Sequence, residues 1–323
     1  IEELEPRTIS DLIKLTQVAA PPFMEEKRAA VYAEWLAEAG ADSVFIDDEG
    51  NVVAIRFGLG GERSQTTDGK VRTVAISGHL DTVFPDNMDV TVTQRGDTLF
   101  APGIGDDTRG LVSVLTVLRA LEGAGIETQA NVRLIGVVGE EGVGDLRGMK
   151  YLFREDGDPI HAWIDVDGTG LGSIVNKGLG SHRFRVTFHG PGGHSWGAFG
   201  LANPAHALGR AIRYFQDVAD TLTRTGPRTS YNVGRLGGGT SVNSIPFEAQ
   251  MEVDMRSESE ESLERIDAAF RAAMVRALTE ENNLRREGPE LELELDQIGD
   301  RPSGELSDTH PLVARAQEVM RIF

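Results

Sequence analysis

Three short runs, VRTVAI (71–76), VRLIGVV (132–138) and AWIDV (162–166), read as strands, and the last two are almost wholly apolar. Runs of that kind belong in a sheet covered on both faces, which needs helices above and below it. LVSVLTVLRALEGAG supplies one such helix, with apolar residues at 111, 115 and 118. SDLIKLTQV, with Ser10 as the expected N-cap, and MEEKRAAVYAEWLAEAG, with Val31, Trp35 and Leu36 at helical spacing, supply two more before Gly40. SVFIDD and NVVAIRF flank a turn at Glu49-Gly50, and VTVTQ and DTLFA form a second hairpin pattern. A polar loop, GLGGERSQTTDGK, leads into the first of the three runs. Alternating strands and helices predict an α/β domain with a largely parallel sheet and crossover connections.

Near Gly180 the rhythm changes. SHRFRVTFHG, TSYNVGRL, EAQMEVDMRS and LELELDQIG alternate, while NPAHALGRAIRYFQDVADTL and ESLERIDAAFRAAMVRAL are helical. The order β-α-β-β-α-β predicts a small antiparallel sheet with two helices on one face, an α+β unit of ferredoxin-like type. Ser257 and Glu260 have the spacing of a capping box for its second helix. This unit spans 181–297 and is read as an insertion into a first domain of 1–180 that resumes at 298–323.

The chain has 323 residues and a formal net charge of -19, without a basic block that could track a phosphate backbone, so nucleic acid is not an expected partner. It has no cysteine, which removes disulfides and thiolate chemistry and leaves His, Asp and Glu as metal ligands. No stretch reaches the ~18 apolar residues of a membrane span, and the expected location is the cytoplasm. The sequence starts at Ile1, so a removed leader stays open.

Acidic residues gather where the strands end. His79 and Asp81 in SGHLDTVFP follow the first run, and their spacing of two puts them on one side if extended geometry persists. Asp106-Asp107 opens the helix after PGIG, Glu140-Glu141 follows VRLIGVVG, and Asp167 follows AWIDV. Singly, these are a loop pair, a helix cap, a solvated turn and a turn aspartate. Together they would converge at the carboxyl ends of parallel strands, where open sheets bind ligands. Their mutual repulsion calls for a cation, and a pair of divalent ions is the economical solution.

The ordered set HLD, GDD, GEEG, DGTG, GGHS and SVNSIP resembles the metallopeptidase and deacylase family of peptidase T, carboxypeptidase G, aminoacylase and acetylornithine deacetylase, from about residue 10 onward. The resemblance implies a phosphorylase/hydrolase-like catalytic domain, an inserted lid that dimerises, and two zinc ions, with cobalt or manganese in some members. It implies that His79, Asp106 and Asp167 hold one ion, and that Asp106 and Glu141 hold the other. Asp81 matches the carboxylate that orients the imidazole, and Glu140 matches the general base, a role for a group that moves protons between water and leaving amine. His194, Asn243 and Arg256 match substrate-binding positions in the lid. The DGTG form is closest to peptidase T, so the expected substrate is a short peptide, with an N-acyl amino acid as the alternative.

Two departures stand out. Thr108-Arg109 replaces the usual lysine after the aspartate pair, and the family's final histidine ligand has no match, since His310 begins the last helix and the sequence stops at Phe323. Truncation is the expected reason. A non-catalytic dimeric scaffold that has lost a ligand is the competing reading. A phosphate loop at PGIGDDTRG is a weaker one, because two carboxylates would repel phosphate there.

Overall fold

The computed structural model describes residues 1–59, 72–168 and 172–322. Most of the expected polar loop after Leu59, Val71, and Thr169 and Gly170 of DGTG lie outside them. The chain divides into two compact units, Ile1–Ser173 and Ile174–Phe323.

The first unit runs α1 (Glu5–Thr16), α2 (Glu26–Glu38), β1 (Ser43–Ile46), β2 (Val52–Arg56), β3 (Thr73–His79), β4 (Thr93–Arg95), β5 (Thr98–Phe100), α3 (Arg109–Gly123), β6 (Asn131–Val137), α4 (Arg147–Leu152) and β7 (Ala162–Asp165). Its sheet has the order β1-β2-β6-β3-β7. β3 pairs in parallel with both β6 and β7, whereas β1 and β2 join as an antiparallel hairpin edge. Alternation along the strands sorts the core onto two faces. Val52, Ala54, Val132 and Leu134 pack with Leu15, Tyr32, Leu36 and Leu115 from the first three helices. Val53, Ala75, Ile135 and Val137 pack with Leu152.

Three local expectations need correcting. Ser10 sits inside α1, which begins at Glu5 with Pro6 in its first turn, where a missing N–H costs nothing. AWIDV is not buried on both faces, because among the described residues β7 is an edge strand and Ile164 is 40% exposed. The cap of the long second-unit helix is Ser259, whose Oγ accepts from Ser262 N, while Ser257 is buried against Thr229.

The second unit contains β8 (Lys177–Gly178), β9 (Gly180–His189), β10 (Gly193–His194), α5 (Pro204–Leu222), β11 (Thr229–Gly238), β12 (Ser244–Ile245), β13 (Glu248–Ser257), α6 (Glu260–Leu284), β14 (Glu292–Arg301), β15 (Gly304–Glu305) and α7 (Pro311–Met320). The fully antiparallel order β11-β13-β9-β14, with α5 and α6 on one face, is the expected ferredoxin-like arrangement. Phe184, Val186, Phe188, Met251, Val253 and Met255 face Phe215 and Phe270 of the helices. The opposite face carries ion pairs such as Arg185–Glu252 and Arg183–Asp254. Residues 298–322 group with this unit, in which β14 runs to Arg301 beside β9 and β15 pairs with β8. Among the described residues no helix is long and apolar enough to cross a membrane.

Candidate functional site

β3 delivers His79 to the carboxyl end of the parallel strands, and two glycines let the neighbouring helix close on it. A Cβ on Gly78 would lie 2.6 Å from Asp107 Oδ2, and one on Gly110 would lie 2.1 Å from Asp107 Oδ1 and from the carbonyl oxygen of Val166. Only glycine allows so close an approach. Asp107 is fully buried there, accepting from His79 N at 2.9 Å and Gly110 N at 3.1 Å. It fastens the start of α3 to the end of β3.

Four of the expected ligand residues do converge. His79 Nε2 lies 2.9 Å from Asp106 Oδ1 and 3.8 Å from Asp167 Oδ1. One donor atom each from His79, Asp106 and Glu141 lies within 4.8 Å of the others, and the same holds for His79, Asp107 and Asp167. Asp107 is the member to which the sequence assigned no role. Its only signal was its place beside Asp106.

Asp81 is fully buried and joins two of the acidic segments. Its main-chain carbonyl, 2.9 Å from His79 Nδ1, orients the imidazole, whereas the nearest carboxylate oxygen is 3.7 Å away. The carboxylate instead accepts from Glu140 N at 3.0 Å and Glu141 N at 2.8 Å. Behind it, buried Arg28 donates to the carbonyls of Leu80 and Val18 and brings a compensating positive charge. Arg109, in the place of the family's lysine, donates to the carbonyl of Gly168 beside Asp167.

The electrostatics fit a cation. Burial alone would depress the His79 pKa, but its hydrogen bond to Asp106 and the charges of Asp107 and Asp81 push it up to about 11. Burial, with Asp106 and Glu140 nearby, pushes Glu141 up to about 7. Burial, with Asp167 nearby, pushes Asp107 up to about 8. Attraction that holds a proton this firmly among carboxylates would also favour a divalent ion, whose binding releases such a proton. An imidazole with several carboxylates is a zinc-type donor set and equally suits manganese or cobalt.

In the second unit β10 and β12 bring His194 and Asn243 together. Gly193 pairs with Ile245 and His194 with Ser244, and Ser195 N donates to the Asn243 carbonyl at 2.9 Å. His194 Nδ1 accepts from Trp196 N at 3.3 Å and Gly197 N at 3.4 Å, which leaves the ring proton on Nε2 as a donor. Arg256 is not with them. It pairs with Asp254 at 2.8 Å near the far end of β13 from this ribbon. His310 caps α7, accepting from Leu312 N at 3.3 Å, as a helix-start histidine should.

Residues 61–178 match the family described as Peptidase family M28, and residues 177–282 match the one described as Peptidase dimerisation domain. The chain is 25% identical to the Uncharacterized protein YqjE of Bacillus subtilis over 287 residues, covering 83% of this chain and 72% of that protein. It is 24% identical to a Probable succinyl-diaminopimelate desuccinylase of Staphylococcus aureus over 231 residues, 61% of this chain, and spans only 56% of that relative's length. The solved aminopeptidase PepT of Bacillus cereus shares its fold, with a TM-score of 0.72 at 21% identity over 98% of this chain and 82% of that one.

Fold, site and matches define the molecule's class, a hydrolase acting on amide bonds. One stretch of the chain is similar to a peptidase family and the next to a peptidase dimerisation domain.

Proposed function

We propose that the chain hydrolyses the amide bond of short peptides in a metal-dependent reaction, as an aminopeptidase or a di- or tripeptidase. The observation that carries this reading is the convergence of Asp106, Asp167 and Glu141, from three separate segments, on His79. In this reading His79, Asp106 and Asp167 hold one divalent ion, Asp106 and Glu141 hold a second, and zinc is the expected metal. Such ions supply Lewis acidity toward a water and toward the scissile carbonyl.

The chain's own groups do the rest. Glu140, set beside the ligand Glu141, takes the proton of the attacking water and returns it to the leaving amine. Asp81 holds the backbone of both glutamates, so the base and the ligand keep a fixed relation. The Nε2 proton of His194 and the amide of Asn243 are donors for the substrate carbonyl as negative charge develops on its oxygen. Arg256, the remaining candidate for a substrate carboxylate, is held by Asp254 away from His194 and Asn243 and takes no part in this reading, and the dimerisation domain pairs two copies of the chain.

N-acyl amino acids are the second reading, favoured by the likeness to a desuccinylase. Metal analysis with turnover of free and blocked di- and tripeptides, beside N-acetyl and N-succinyl amino acids, tests both. About two metals per chain and peptide turnover are expected; no bound metal after supplementation would favour the scaffold instead.

A further inference from the structure

The loop that carries Glu140 and Glu141 closes on itself between β6 and α4. Gly148 N donates to the Val138 carbonyl at 3.1 Å, and Gly144 N donates to that of Glu141 at 2.8 Å. This closure uses three left-handed residues, Gly139 (φ 65°), Asp145 (φ 50°) and Leu146 (φ 59°). The last two carry side chains, for which that conformation is unfavourable and persists only where the surroundings enforce it. Arg147 comes next in the chain. Its stem fills the place of a Gly139 side chain, since a Cβ there would lie 2.6 Å from Arg147 Cγ. Its guanidinium reaches two further elements. Nη2 donates to Glu25 Oε1 at 2.7 Å, and Nη1 donates to the Glu49 carbonyl at 3.2 Å and to Glu49 Oε1 at 3.3 Å. Glu25, the residue before α2, is 3% exposed, so its charge must be met inside the protein. The Phe23 ring covers the guanidinium, its centroid 4.9 Å from Arg147 Cζ. The peptide that bears Glu140 therefore lies between two clamps. Asp81 takes the amides of Glu140 and Glu141, and one residue earlier the Arg147 stem presses on Gly139.

From these contacts we infer that Glu25 and Arg147 are positioning residues for the general base, acting through the main chain of Gly139. The inference rests on the reading of Glu140 as that base. The pair sets where the peptide between Gly139 and Glu140 sits, and with it the distance from the carboxylate to the water it deprotonates. A displacement of about 1 Å caused by a remote change can cost about 100-fold in rate. A buried ion pair suits this task because neither partner can leave without stranding the charge of the other. The planar fork matters as well as the charge, since it spans Glu25 and Glu49 at once, which the single ammonium of a lysine does not reproduce.

The test compares the native protein with Arg147→Met, Arg147→Lys and the double variant Glu25→Gln with Arg147→Met, which removes both charges together and strands neither. In the metal-loaded protein kcat should be about 10- to 100-fold lower in Arg147→Met and in the double variant, with KM and metal content near native. Arg147→Lys should regain only part of the loss. Amide hydrogen exchange in the metal-free protein supplies a readout independent of turnover. In the double variant the Glu140 and Glu141 amides should exchange about tenfold faster or more, while amides of β3 and of the second unit keep their native rates. A double variant with native kcat, or with exchange quickened equally across the first unit, overturns the inference, because the pair would then serve stability alone. Turnover that survives Glu140→Gln refutes the base assignment and the inference with it, whereas kcat unmoved by the pair refutes the inference alone. A native protein that turns over neither peptides nor N-acyl amino acids refutes both.

Discussion

The Asp81 carboxylate accepts the amide proton of Glu141 at 2.8 Å while its other oxygen accepts that of Glu140 at 3.0 Å. One buried side chain at the end of β3 therefore fixes the peptide carrying two acidic residues at the end of β6. Asp81→Asn keeps the size of the side chain but replaces one acceptor oxygen with a donor facing an N–H. A loss of about 1.5–3 kcal/mol is expected, the scale of a hydrogen bond to a charged group. Chemical denaturation checks it, and a variant as stable as the native protein would remove the clamp from the account.

Glu140→Gln removes the proposed base without touching the proposed ligands. Turnover should fall about 10²- to 10⁴-fold with metal content close to native. Steady-state kinetics and elemental analysis on the same preparation check this; activity near the native level would reassign the base.

Gly110→Ala tests the closeness of α3 to the strand ends. Its Cβ would lie 2.1 Å from both Asp107 Oδ1 and the Val166 carbonyl oxygen, so one of them or the helix must shift. Overpacking of this kind costs about 1–3 kcal/mol, and here the buried carboxylate would also lose its partners. Thermal unfolding should show a lower midpoint, and an unchanged midpoint would mean the helix can move aside.

Asp254 gives the second unit an acid-sensitive ion pair. Burial alone would raise its pKa, but Arg256 and Arg183 hold it below the ordinary carboxylate value. A group depressed on folding contributes stability that is fully present above its unfolded pKa of about 3.9, and that is lost as pH falls through the lower folded value. Asp254→Asn should flatten this part of the stability-pH curve. Urea unfolding of both proteins between neutral pH and pH 2 measures it.

How much of this was legible beforehand can be judged residue by residue. His79, Asp167 and the pairs Asp106-Asp107 and Glu140-Glu141 were visible because metal chemistry restricts residue type, and because strand ends in a parallel sheet place their loops together, whereas the choice within each pair came from the family resemblance. The β-α-β-β-α-β unit was visible because burial on one face enforces a period of two in strands and a wider apolar stripe in helices. Ser10 misled because a good cap residue is also tolerated inside a helix whose start is fixed by Glu5 and Pro6. AWIDV misled because apolar content does not tell a central strand from an edge.

The sequence by itself therefore determined the kinds of element, their order and the chemical type of the centre, since these follow from local periodicity and from which side chains can bind a cation. Tertiary structure alone decided that Asp107 turns inward to tie His79 to α3, that Asp81 grips the backbone of Glu140 and Glu141, and that Arg256 stands apart from His194 and Asn243. Those outcomes depend on backbone amides and close approaches between segments distant in the chain, which no local pattern of side chains records.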